Sequence, residues 1–284
     1  MPINTKIKDV MTRDVAYATV PGSRHEVLQI LKSQHVSSVP VVKDGKLVGI
    51  VTRSDLLKNP TEEQLAILMT RSPITATPEA SVKSAARLMN THKIRRLPVV
   101  RDGKLVGIVT VTDLLGVIAD NEFDEGIIPY VARSVVSVWS ETPLPVVGMI
   151  MELADAKAMP VLDRELELVG IVTDKDLISA SVVEDTLQQA DISAGSDEDA
   201  WTWESMRDTL KLYYSISRIK LPDKPVREAM RGGTPAVGIN GSTVSEVAKL
   251  MRRNLLEQLP VITGENRLRG IVRDRDIIRC LIKK

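Results

Sequence analysis

Thr52 and Asp55, Thr110 and Asp113, and Thr173 and Asp176 are three copies of one arrangement, a hydroxyl residue followed three positions later by a carboxylate. Each pair closes a heptapeptide: GIVTRSD from Gly49, GIVTVTD from Gly107 and GIVTDKD from Gly170. A fourth copy, GIVRDRD from Gly270, keeps Asp276 but has Arg273 in place of the threonine. Two chemistries suit the spacing. A threonine three residues ahead of an acid, just before an apolar run, is a capping box that closes the start of a helix. The same step from strand to helix presents unpaired N–H groups and a positive dipole end, a place for phosphate. There the carboxylate offers acceptors to a diol such as ribose, and the hydroxyl can donate to a phosphate oxygen. Both readings require the same local geometry.

The elements that must position these residues recur with them. Similar units run from Val10 to Leu57, from Leu68 to Leu115, from about Ile128 to Ile178, and from Val226 to Ile278. Within each, the pattern predicts a short strand, a helix, two strands and a second helix, an α/β (α+β) arrangement of repeats. Val82, Ala85, Ala86 and Met89 fall at helical spacing, as do Val244, Val247, Ala248 and Met251, and both sets read as core. The β-branched runs that follow are joined by KDGK or RDGK, where Asp44-Gly45 and Asp102-Gly103 supply the positive φ angles of a tight hairpin. The third and fourth units use longer connections. The first three heptapeptides are evenly spaced, but extra chain separates the third from the fourth, roughly Val182 to Asp223. Met206, Leu210, Tyr213 and Ser217 share a helical face there, with Trp203 one turn before, so a helical insertion is expected over 182–223. It either packs on its own module or offers an aromatic docking surface, since exposed aromatics dominate hot spots.

The fourfold succession of LPVV-type strands and GIVTxxD resembles the cystathionine-β-synthase-type (CBS) domain, two copies of which form a Bateman module. The resemblance divides the chain into repeats at 7–59, 66–119, 127–181 and 224–284, with modules at 1–119 and 127–284. It implies pseudo-twofold modules set face to face in one disc-like monomer, or stacking with a second chain. In the family the threonine and aspartate meet phosphate and ribose, apolar residues hold adenine, and basic residues of the partner repeat meet phosphates. Carried over, the first site uses Thr52, Ser54 and Asp55, with an adenine wall of Ala16, Val39, Pro40 and Ile50. Its phosphates face Arg95 and Arg96 in KIRRLPVV, which resembles an element of the four-repeat gamma subunits of AMP-activated kinases. Paired arginines before a strand are ordinarily solvated, but VSSVPVV, AKAMPVL and LEQLPVI lack them, which argues for a local role. The second site uses Thr110, Thr112 and Asp113, with Ser37 and Ser38 opposite. The third uses Thr173, Lys175 and Asp176, facing Gln258 and a Glu257 that would repel phosphate. In the fourth, Arg273 precedes Arg275 and Asp276, and it either fills the phosphate space or contacts a nucleotide in the neighbouring site.

With 38 basic and 37 acidic residues the formal charge is +1, so no global field draws the chain to nucleic acid or an anionic membrane. The single cysteine, Cys280, excludes an internal disulfide and a cysteine-ligated zinc site, and reads as a small apolar residue of the last helix. The opening MPINTKIKDVM has charges where a signal peptide needs an apolar run, and no stretch reaches the roughly 18 apolar residues of a membrane span. A cytoplasmic protein is expected. His25, His35 and His92 accompany no nucleophile motif and read as surface residues, and there is no Walker lysine loop, no GxGxxG and no metal-spaced cluster. The expectation is a non-catalytic sensor that binds AMP, ADP or ATP, without catalytic cofactor or metal, and signals to a protein partner. An S-adenosylmethionine-type ligand and a ligand-free scaffold remain open alternatives.

Overall fold

A computed structural model describes residues 4–34, 36–59, 62–154, 156–191, 211–233 and 235–283. Every heptapeptide forms the end of a hairpin and the start of a helix. In the first repeat the helix Arg24–Ser33 is followed by antiparallel strands Ser38–Lys43 and Lys46–Thr52, then by the helix Arg53–Lys58. The second repeat has Val82–Thr91, Arg96–Arg101, Lys104–Thr110 and Val111–Asp120 in the same order. The third has Leu144–Leu153, Ala158–Leu162, Leu168–Thr173 and Asp174–Ala180. The fourth has Val244–Asn254, Gln258–Ile262, Leu268–Arg273 and Asp274–Ile277. The first two hairpins turn on Asp44 (φ 50°) with Gly45 (φ 75°), and on Asp102 (φ 52°) with Gly103 (φ 78°). Both central residues of such a turn must have positive φ, which Asp-Gly adopts at low cost. The longer third and fourth turns place Leu166 and Asn266 in the left-handed region.

The glycine that opens each heptapeptide is explained by what lies over it. Thr70–Arg71, the lead segment of repeat two, pairs with Gly49 and Ile50 of repeat one, while Thr12 of repeat one pairs with Ile108 of repeat two. Repeats three and four exchange in the same way, Val131–Ala132 pairing with Ile271 and Val272, and Arg231–Gly232 with Gly170 and Ile171. A Cβ at Gly49 would lie 2.5 Å from Met69 Sδ, at Gly107 2.7 Å from Met11 Sδ, at Gly170 2.7 Å from the Arg231 carbonyl, and at Gly270 2.5 Å from Val131 Cγ1. The exchanged segment crowds all four glycines, with its backbone in the way at Gly107, Gly170 and Gly270 and the Met69 side chain at Gly49.

The chain forms two compact units. The first contains Met1–Arg133, Pro235–Gly264 and Arg269–Lys284, and so includes repeats one, two and most of four. In its main core the helices Val111–Asp120 and Val244–Asn254 pack together, with Leu114, Ile118, Val247 and Ala248 fully buried. Burial of Leu114, Ile118 and Val247 contributes about 2 kcal/mol for each side chain, and the small Ala248 lets the helices approach. Buried Ser245 fits this apolar contact because its hydroxyl donates to the Ile118 carbonyl at 2.8 Å. Repeat one has a smaller core around Val27, Val39, Val41 and Leu65. The second unit, Ser134–Thr234 with Glu265–Leu268, is built on Leu144, Val147, Met159, Val161 and Val172.

The insertion departs from the expected helix. Val182–Asp191 and Lys211–Lys220 are antiparallel strands in register from Val182 with Lys220 to Asp191 with Lys211. Tyr213 and Ser217 therefore lie on a strand. KLYYSISRIK is dense in aromatic and β-branched residues, which suit a pleated strand, and pairing satisfies its backbone. Trp203, Met206 and Leu210 fall outside the described residues. Among the described residues no helix is long and apolar enough to cross a membrane.

Candidate functional site

The capping boxes form, and they consume one oxygen of each carboxylate. Asp55 Oδ2 accepts from the Thr52 N–H at 2.8 Å and from its hydroxyl at 2.7 Å, and Asp113 Oδ2 accepts from Thr110 at 2.7 and 2.8 Å. Asp176 Oδ2 accepts from Thr173 at 2.9 and 2.6 Å. Each threonine hydroxyl has a single proton, and here it goes to the carboxylate rather than toward a phosphate. Behind each box, the N–H of the next residue donates to the chain entering the hairpin: Arg53 to the Ser37 carbonyl at 3.3 Å, Val111 to Arg95 at 3.0 Å, Asp174 to Lys157 at 3.1 Å and Asp274 to Glu257 at 2.9 Å.

The second carboxylate oxygen distinguishes the repeats. Oδ1 of Asp55 and of Asp113 has no hydrogen-bond partner among the described residues. Asp176 Oδ1 instead accepts from Arg231 Nε at 3.1 Å, and the Asp176 side chain is only 10% exposed. Arg231 arrives on the exchanged strand and was not among the residues singled out by sequence. A signal existed, since Met230-Arg231 aligns with Met11-Thr12 and Met69-Thr70. Asp276 has no threonine to cap with, and Arg279 lies 3.9 Å from its carboxylate.

The arginine pair divides. Arg95, expected at the first site, is held by repeat four: Nη1 donates to Asp274 Oδ1 at 3.0 Å, Nη2 to Asp274 Oδ2, and Glu257 lies 3.2 Å away. Asp274 is 2% exposed. Burial pushes its carboxyl above the usual range, and the charge and hydrogen bonds of Arg95 oppose that push. Arg96 begins the strand Arg96–Arg101 opposite Thr110. Arg95 lies in the bend just before that strand with its guanidinium committed to Asp274 and Glu257, so the two arginines do not share one task. Burial, then the Arg95 charge, holds the Arg96 guanidinium below the usual arginine range, with Glu257 opposing and Arg53 adding to the effect. The strand opposite Arg96, Lys104–Thr110, packs on Lys46–Thr52 of repeat one. Among the described residues Arg96 has no hydrogen-bonded or ion-paired carboxylate.

The CBS domain model matches residues 7–62, 64–120, 128–183 and 226–283, most of the chain. This chain belongs to the CBS domain family. An uncharacterized conserved protein from Pyrococcus horikoshii is 32% identical and superposes with a TM-score of 0.69, over 98% of this chain and 100% of its own. Protein MJ1225 of Methanocaldococcus jannaschii, a proposed archaeal homologue of γ-AMPK, superposes with a TM-score of 0.67 over 97% and 99%, at 20% identity. YlbB, an uncharacterized protein of Bacillus subtilis (strain 168), is 42% identical over 118 residues, 39% of this chain and 80% of its own.

Within the first CBS repeat, Pro40 and Ile50 stand opposite each other in register, and Ala16 is half-buried in the chain before Ala18–Thr19. Val39 is fully buried in the core of that repeat, and Pro40 beside it is buried as well. In the second CBS repeat Thr112 is exposed; of the two serines expected opposite, Ser37 is exposed and Ser38 is 5% exposed. Glu257, expected to face the third site, is paired with Arg95, and Gln258 opens its strand. Arg273 is the exposed N-cap of the fourth step, without a side-chain cap bond, and Arg275 is exposed beside it. The Ser54 and Lys175 side chains lie outside the description, as does His35, while His25 and His92 are exposed.

Proposed function

We propose that the protein is a non-catalytic cytoplasmic sensor that binds adenine nucleotides through its first CBS pair and passes the bound state to a protein partner. One observation carries the reading. Arg96 is a half-buried guanidinium without an ion-paired carboxylate among the described residues, on a hairpin whose other strand, Lys104–Thr110, packs on Lys46–Thr52, and just past that strand Asp55 keeps an oxygen open. A cation in that state is relieved by an anion, and a fork of N–H donors suits a phosphate. The open Asp55 Oδ1 accepts from ribose hydroxyls, and the half-buried Ala16 and Ile50 give adenine an apolar surface. Signalling requires that nucleotide bind two states of the protein with different affinities.

The second step favours a different ligand charge. Asp113 has the same open oxygen, yet the residue equivalent to Arg96 is the buried Ser38, so an adenosine without phosphates, such as S-adenosylmethionine, suits it better. Calorimetric titration with adenosine, S-adenosylmethionine, AMP and ATP tests both statements. AMP and ATP should bind more tightly than adenosine, and Arg96→Ala should remove that preference about 10- to 100-fold while adenosine binding persists. Equal affinities for adenosine and AMP in the unaltered protein would overturn the phosphate role of Arg96.

A further inference from the structure

We infer that Arg231 is a specificity-determining residue that closes the third CBS repeat to ribose, leaving adenosine ligands to repeats one and two. The inference rests on the adenosine reading of Asp55 and Asp113. A vicinal diol recognised by a carboxylate needs acceptor capacity that the protein has not already filled. In repeats one, two and three the threonine takes Oδ2 twice, so Oδ1 is the oxygen available to a ligand. At Asp55 and Asp113 it is open. At Asp176 the Arg231 Nε occupies it at 3.1 Å.

The difference comes from a single position on the exchanged strand. Arg231 pairs with Ile171 as Thr70 pairs with Ile50 and Thr12 with Ile108. Thr70 and Thr12 are short, exposed, and make no hydrogen bond to Asp55 or Asp113. Arg231 is long enough to reach the carboxylate and stands on its solvent side, with 63% of its side chain exposed against 10% for Asp176. The bond from Arg231 to Asp176 joins two ionised groups, whereas a ribose hydroxyl brings the carboxylate no counter-charge. A diol approaching Asp176 must therefore exchange a strong partner for a weaker one. Capping does not account for Arg231, because Thr173 already completes the box.

The test is calorimetric titration of the full chain with AMP and with adenosine, comparing the unaltered protein with Arg231→Thr, the residue that repeats one and two carry. The variant should gain one binding site per chain, and adding Asp176→Ala should abolish the gained site. Arg231→Gln, which keeps length and removes charge, should gain the same site and serves if the threonine variant unfolds at lower temperature. Unchanged stoichiometry and affinity in both folded variants, beside normal binding by the unaltered protein, would overturn the role of Arg231 alone. Loss of a site on Asp176→Ala in the unaltered protein would also overturn it. No binding by the unaltered protein refutes the adenosine reading, and if the variants are silent too this inference falls with it.

Discussion

The carboxylates of Asp55 and Asp113 keep an oxygen open, whereas arginines occupy Asp176 in repeat three and Asp274 in repeat four. The first three of these belong to the same strand-to-helix step, capped by threonine in the same way. What differs is a side chain contributed by another repeat: Thr70 or Thr12 in one pair, Arg231 in the other, and Arg95 reaching from repeat two to Asp274. The motif sets the geometry, and the neighbour sets which chemistry remains available.

The largest test breaks the occupied side of this contrast. Arg95→Ala leaves the Asp274 carboxylate buried without its main counter-charge, and should cost about 3 kcal/mol in chemical denaturation at neutral pH. Its carboxyl is already raised by burial, and losing Arg95 raises it further. A raised carboxyl contributes stability when protonated and loses it as pH climbs through the folded-state value. The deficit of Arg95→Ala should therefore shrink as the pH is lowered, and a constant deficit would show that Asp274 is not the cause.

The nucleotide contrast is next in size. Asp55→Ala should lower affinity for AMP about 10- to 100-fold, on the scale of about 1 to 3 kcal/mol for hydrogen bonds to a charged group. Asp176→Ala should leave AMP affinity unchanged in the same titration. Each should also lower stability by about 1 kcal/mol through loss of the capping box, a common baseline for the pair.

The exchanged strands give the smallest and most graded effect. At Gly270 an added Cβ meets the Ala132 carbonyl at 2.6 Å as well as Val131, and backbone cannot step aside. At Gly49 it meets only the flexible Met69 side chain. Thermal unfolding should place the cost of Gly270→Ala near about 2 kcal/mol and that of Gly49→Ala below about 1 kcal/mol.

The parts of the fold set by local rules were legible in the sequence. Asp44-Gly45 and Asp102-Gly103 specify their own hairpins, and the spacing of Val82, Ala85, Ala86 and Met89 marks a buried helix face. The capping boxes were legible for the same reason. Long-range partners were harder: nothing near Arg95 in the chain points to Asp274, and Arg231 is marked only by the alignment of Met230-Arg231 with Met11-Thr12 and Met69-Thr70. In the insertion, residues at helical spacing were also aromatic and β-branched, and pairing with Val182–Asp191 decided for strand.

The exchange of lead segments also bears on how such a protein can be divided. Thr70–Arg71 completes the four-stranded sheet of repeat one, and Thr12 borders the hairpin of repeat two. Cut between them, each repeat would present a bare strand edge, the kind of surface that recruits stray chains into aggregates. A single repeat is therefore not a piece that can be transplanted or inherited intact, and single-repeat fragments are poor surrogates for the couple.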